Sequence, residues 1–231
     1  MILEPWEELA RARTAAGDEL LLRHRSGIFE IRCNGYDLMS NRAHRSEEAL
    51  ARLALAEISA PAPRILIGGL GMGFTLRAAL DAAPKDARVT VAELLPEIVA
   101  WNRGALAPLA GRPLEDARVE LREADVAAVM EAAEGVYDAI LLDIDNGPEA
   151  VLCDINSELF SARGLRKMRR ALAVSGVLAV WSADPSPRFE ERLEETRFSF
   201  RATEIAARGG AGDPRHTIYL ARAALLSGAK N

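Results

Sequence analysis

Arg64-Ile-Leu-Ile-Gly-Gly-Leu-Gly-Met-Gly73 runs from a short apolar stretch straight into glycines. Ile65, Leu66 and Ile67 have the unbroken apolar character of a parallel strand covered on both faces. Gly68, Gly69, Gly71 and Gly73 come next. Without side chains there, the backbone can turn tightly and a ligand can approach the exposed N-terminus of the following helix, predicted over residues 74–83 and ended by Pro84. A glycine turn after a strand is often only a tight connection, so the ligand reading needs a second signal. Arg88-Val-Thr-Val-Ala-Glu93 supplies it. This second apolar run ends in an acid about 20 residues beyond the glycines, where a nucleotide-binding unit places its acceptor for the ribose hydroxyls.

Downstream, helix and strand patterns continue to alternate. Residues 96–103 predict a helix, 107–115 a loop or broken turn, and 118–122 a strand leading through Ala124-Asp125 into a helix over 126–133. Residues 137–143 form the most apolar strand, followed by Ile144-Asp145 and the turn residues Asn146-Gly147-Pro148. A helix over 164–173, a strand over 176–181 and a helix over 188–196 come after it. Residues 198–205 and 216–221 then predict a closing antiparallel hairpin. The class is α/β, with a doubly wound, mostly parallel sheet and an antiparallel C-terminal hairpin.

Upstream, the polar residues 5–16 predict one surface helix. Residues 20–25, 28–33 and 36–39 are strand-like and separated by the turn pairs Ser26-Gly27 and Asn34-Gly35, giving a small N-terminal β meander. Ser46 suits an N-cap, with Glu47 and Glu48 in the first turn of a helix that Pro61 and Pro63 stop. The division is 1–45 for the helix and meander and 46–231 for the main domain.

The 231 residues, 49% hydrophobic, suit one α/β domain with a small appendage. Net charge is −5, and 29 basic residues are scattered among 34 acids, which argues against a nucleic-acid partner. Cys33 and Cys153 lack metal-ligand spacing, so no metal is indicated. No charged leader opens the sequence and no apolar run approaches a membrane span, so a cytoplasmic location without membrane attachment is expected.

GGLGMG at residues 68–73, AELLP around Glu93, EADVA around Asp125 and YDAILLDIDNGP from Tyr137 to Pro148 stand in order on successive strand ends. Together they resemble the spermidine synthase-like branch of the class I S-adenosylmethionine-dependent methyltransferase superfamily, whose Rossmann-like fold also carries a small N-terminal β-domain. The resemblance implies a cofactor, S-adenosylmethionine or its decarboxylated form. It would lie against Gly69, Gly71 and Gly73, with Glu93 on the ribose hydroxyls and Asp125 on the adenine amine. It implies that Asp143 is the catalytic acid beside an acceptor amine. Tyr36, His44, Asp145 and Trp181 are candidates for the acceptor pocket, and a homodimer is expected, since the edges of so short a meander need covering.

Two departures bear on the activity. The family's acid within GGGDGG is replaced by Gly71, and of the family's tyrosine-histidine pair only His44 has a counterpart. The leading expectation is therefore a transferase moving a methyl or alkyl group from S-adenosylmethionine, or its decarboxylated form, to a small acceptor, possible amines included. The alternatives are a polyamine aminopropyltransferase making spermidine from putrescine, and a non-catalytic nucleoside-binding or structural homologue. A nicotinamide dehydrogenase shares the first βαβ unit, but Glu93, Asp125 and the closing hairpin favour the methyltransferase type. Each acid also has a local reading: Glu93 as a strand end, Asp125 as an N-cap, Asp143 as a loop acid bonded to backbone amides.

Overall fold

The computed structural model of the protein describes residues 4–15, 17–144, 146–149, 158–208, 210 and 212–224. Its main sheet has seven strands in the order β10-β11-β9-β8-β5-β6-β7. β5 (Arg64–Gly68), β6 (Arg88–Glu93), β7 (Val119–Glu123), β8 (Tyr137–Leu142) and β9 (Leu172–Ser182) run parallel. β10 (Phe198–Ala206) and β11 (Arg215–Ala223) join antiparallel beyond β9, as the closing hairpin expected from the sequence. From β5 the chain builds outward to β6 and β7, then crosses back to β8 on the other side. The strand order therefore reverses between β5 and β8, and a crevice at the carboxyl ends of strands forms at such a reversal. The backbone ties this place together: the Asp143 N–H donates to the Gly68 carbonyl at 2.9 Å, and the Gly69 N–H to the Ala92 carbonyl at 2.9 Å.

Helices cover both faces. α1 (Arg45–Leu55) and α2 (Phe74–Ala82), with α3 (Pro96–Arg103), lie on one, while α4 (Val126–Glu131), α5 (Ala162–Ala171) and α6 (Pro187–Glu195) belong to the other. Residues 107–115 form two short 3₁₀ turns, Ala107–Ala110 and Pro113–Glu115. β5 is buried from Ile65 onward because it is central and covered twice. Each fully buried Leu or Ile in such a core contributes about 1.5–3 kcal/mol.

The N-terminal sheet has four antiparallel strands in sequential order: β1 (Glu7–Arg13), β2 (Glu19–Arg25), β3 (Ile28–Cys33) and β4 (Tyr36–Ser40). Its hairpins turn at Ser26-Gly27 and Asn34-Gly35, where φ is 48° and 81°, then 50° and 83°. Positive φ at both central residues is the turn whose twist matches paired strands. The helix expected over residues 5–16 is corrected here to strand β1. Glu, Leu, Ala and Arg favour helix locally, but Ala10 and Ala12 alternate inward against β2, and that pairing overrides propensity. Leu20, Leu22 and Ile31 of this sheet share one apolar cluster with Leu50 of α1, Ile65 of β5 and Leu76 of α2, so the meander is seated on the α1–α2 face.

The N-cap expectation at Ser46 also needs correcting. α1 begins two residues earlier, with His44 at the cap position and no side-chain cap bond. Ser46 is fully buried and its hydroxyl is used elsewhere. Among the described residues no helix is long and apolar enough to cross a membrane, and no group of His, Cys, Asp and Glu could hold a metal ion.

Candidate active site

The glycine turn between β5 and α2 forms the floor of the crevice. Gly69 has φ 88°, and a Cβ on it would stand 2.2 Å from the Asp143 carbonyl oxygen. Glycine is needed there so that the end of β8 can lie against the turn, a reason internal to the protein. Gly71, at φ 53°, is more open: a Cβ would meet only the Met39 sulfur at 3.4 Å and its Cε at 3.8 Å. β4 thus delivers Met39 to the place where the family's acid would project. Gly73 caps α2.

Glu93 ends β6 and is buried. Its Oε2 accepts from the Leu70 N–H of the glycine turn at 2.8 Å, and its Oε1 from the Leu95 N–H at 2.9 Å. Burial raises its pKa, and backbone donors led by Leu70 oppose that rise. The Leu94 and Gly71 N–H groups also act on this carboxylate, so a bound diol would compete with the backbone for its remaining lone pairs. Asp125 caps α4, its Oδ1 accepting from the Ala127 N–H at 2.8 Å. The capping role is therefore real, and among the described residues the other oxygen has no hydrogen-bond donor.

Asp143 follows β8 at the same level. Its Oδ2 accepts from the Thr75 hydroxyl at 2.6 Å; the Glu47 carbonyl, 3.4 Å from the same hydroxyl, is the poorer partner for its single proton. Burial raises the Asp143 carboxyl to about 6 against the lowering effect of Thr75. Glu47, from the first turn of α1, is raised to about 7, first by burial and then by the charge of Asp143. Two carboxyl groups near the carboxyl edge of the sheet are thus raised above the usual acid range, each chiefly by burial.

Around the pair, the Ser46 hydroxyl lies 2.5 Å from Glu47 Oε2 and 2.8 Å from Nδ1 of His216 on β11. Trp181, at the end of β9, meets the His216 ring edge-on at 4.7 Å between centroids and buries an indole N–H without a partner among the described residues. His44 stacks on Phe74, the first residue of α2, at 4.1 Å, and its Nδ1 bonds Glu48 at 2.8 Å.

The residues expected from sequence fall into three groups. Gly69, Gly71, Gly73, Glu93 and Asp143 converge on the β5/β8 reversal, and Asp125 begins the helix after β7 on the same carboxyl edge. His44 and Trp181 reach the neighbourhood through Phe74 and His216. Tyr36 is 77% exposed at the β3–β4 hairpin and shares no hydrogen bond with this cluster, and Asp145 lies outside the described residues. Sequence reasoning missed Glu47, Thr75, Ser46 and His216. Thr75 alone carried a usable signal, as a hydroxyl in the first turn after the glycines.

No family model matches the chain. It is 30% identical over 139 residues to the polyamine aminopropyltransferase of Prochlorococcus marinus (strain AS9601), covering 60% of this chain and 47% of that protein. To the polyamine aminopropyltransferase of Moorella thermoacetica (strain ATCC 39073 / JCM 9320) it is 33% identical over 148 residues, covering 63% and 48%. Among solved structures, spermidine synthase from Thermotoga maritima superposes with a TM-score of 0.72 at 15% identity, covering 93% of this chain and 72% of that one. A spermidine synthase in complex with the transition-state analogue AdoDATO gives 0.73 at 17%, covering 93% and 71%. The chain therefore has the spermidine synthase fold that its motifs imply, and it spans about half the length of the curated relatives it matches.

Proposed function

We propose that this protein transfers an alkyl group from the sulfonium of an S-adenosyl donor to an amine, and that the group is aminopropyl, from decarboxylated S-adenosylmethionine to a polyamine precursor. The observation that carries this reading is the raised carboxyl pair, Asp143 and Glu47, beside the glycine turn. An amine reaches the site as ammonium, with an unperturbed pKa of about 10, and must lose a proton before its nitrogen can attack. A carboxylate raised to about 6 is still largely ionised at neutral pH and is a better base than an ordinary aspartate. In the step itself an N–C bond forms as the C–S bond breaks, the sulfonium becomes a neutral thioether, and the nitrogen's proton passes to a carboxylate. Positioning does most of the rest. Glu93 would accept the ribose hydroxyls, Asp125 the adenine amine, and the turn at Gly69, Gly71 and Gly73 would lie under the donor. The names of the relatives support the aminopropyl reading, an alternative in the sequence analysis, over the broader methyl or alkyl transfer that led there.

A second reading, methyl transfer from S-adenosylmethionine, is favoured by one observation, the absence of an acid at Gly71. The two separate by product mass when the protein is incubated with each donor and putrescine. Aminopropylated amine together with methylthioadenosine is the expected result. Methylated amine would select the second reading, and donor binding without any transfer would leave a non-catalytic binder. We further propose a homodimer, because β1 and β4 are open edges of the N-terminal sheet. Light scattering showing one chain per particle at micromolar concentration would remove it.

A further inference from the structure

Ser46 and His216 are 170 residues apart, on α1 and β11, yet they meet in a partly buried hydrogen bond whose chain continues to Glu47. Neither belongs to a strand-end motif, and the alkyl-transfer step as derived above uses neither. A serine hydroxyl has one hydrogen and can accept at the same time. If Glu47 is ionised, Ser46 donates to Oε2, and His216 must then donate from Nδ1. If Glu47 is protonated, the chain reverses: Glu47 donates to Ser46, Ser46 donates to Nδ1, and the neutral ring carries its hydrogen on Nε2. The protonation state of the acid and the tautomer of the ring are therefore locked together through one hydroxyl.

We propose that Ser46 and His216 form a proton relay that empties Glu47 toward solvent after each transfer. The proposal rests on the reading of the site as amine-alkylating. Discharge starts from the reversed chain. The Glu47 O–H and Ser46 O–H bonds break as a new Ser46 O–H and an Nδ1–H form, leaving Glu47 ionised and the ring an imidazolium. The imidazolium then releases its Nε2 proton to water, which restores the ionised-acid arrangement. The surroundings suit this. His216 is only half-buried, and Nε2 has no protein partner among the described residues. Trp181 holds the ring from its edge. The charged groups facing the ring are Glu47 through Ser46 and Asp184 after β9, whereas neighbouring Arg215 is paired with Glu204 at 2.8 Å. Burial lowers the ring's pKa and Asp184 opposes this, so the ring rests neutral at neutral pH and an imidazolium formed on it releases its proton readily.

The lock is testable without turnover. Nitrogen-15 NMR of the full chain should show the His216 ring as the Nδ1–H tautomer above the Glu47 midpoint and as the Nε2–H tautomer below it, before the ring itself protonates. The switch should vanish in Ser46→Ala and, as a second variant in case the buried alanine disturbs folding, in Glu47→Gln. A wild-type ring that keeps one tautomer across the titration, or a switch that persists in Glu47→Gln, overturns the relay. In turnover, His216→Ala should lower kcat roughly tenfold or more with donor affinity unchanged, and added imidazole should restore part of the rate; an unchanged kcat also overturns it. Failure of the protein to alkylate any amine would reject the function while leaving the NMR result to judge the network by itself.

Discussion

The Thr75 hydroxyl donates to Asp143 Oδ2 at 2.6 Å, joining the first turn of α2 to the end of β8 across 68 residues. This bond opposes the rise that burial imposes on Asp143, and so keeps the carboxylate ionised in a site that otherwise favours the acid. Thr75→Val removes the donor with little change of shape. A hydrogen bond to a charged group is worth about 1.5–3 kcal/mol, and one pKa unit is about 1.4 kcal/mol. The acidic limb of the kcat/KM profile should therefore move up by about one pH unit or more. If the limb stays in place, Asp143 is not the group that it reports, and Glu47 is next to be tested.

The same pair has a cost in stability whose sign is fixed. A carboxyl raised by folding binds more protons in the folded than in the unfolded chain between its two midpoints, so stability falls as pH rises through that window. For Glu47 the window runs from the ordinary 4.5 to about 7. Glu57 and Asp116 are lowered and act in the opposite sense at lower pH, so the comparison that isolates the effect is wild type against Glu47→Gln. The variant should melt higher than wild type above pH 7, by several degrees for up to about 3 kcal/mol, and the gap should close toward pH 4.5. A gap of constant size across that range would mean that ionisation of Glu47 carries no folding cost.

Much of the crevice was legible because its parts lie where local pattern reaches. Gly69, Glu93 and Asp143 each stand at the end of an apolar run, and the period of strands and helices orders those runs into one sheet. What stayed hidden depends on contacts between distant segments. Glu47 and Ser46 carry the ordinary marks of a helix start, and only the arrival of His216 from β11 turns them into part of a chain of hydrogen bonds. Residues 7–13 look helical for the same kind of reason, since their strand state depends on β2. Asp125 shows the limit from the other side: its spacing is right for a ligand and also for the cap it makes with Ala127, and no local pattern separates the two.

Glu93 makes a sharper case, since both of its oxygens already hold backbone N–H groups. Glu93→Gln would put an amide donor against one of them. Donor affinity by calorimetry should fall tenfold or more, with some loss of melting temperature from the disturbed turn. Unchanged affinity in a folded variant would move the ribose contact away from Glu93.

Gly71→Asp tests which donor the turn is built for. The change carries some backbone strain at φ 53°, but aspartate is among the side chains that best tolerate the left-handed region, and its Cβ would meet Met39 only at 3.4 Å to the sulfur. The two donors differ by one carboxylate at their amino-acid end. An added aspartate repels that carboxylate and attracts the ammonium that both donors share, and in a partly buried site a like-charge contact costs about 1 kcal/mol or more. Relative to wild type, the variant should therefore shift in competition titrations toward decarboxylated S-adenosylmethionine by roughly fivefold or more. The wild-type preference separates the two proposed readings, since a turn without an acid at Gly71 does not repel the carboxylate of the full donor and offers an ammonium no anionic partner. A variant that shifts toward the full donor, or not at all, would mean that Gly71 does not face the amino-acid end, and the argument for methyl transfer would lose its only structural support.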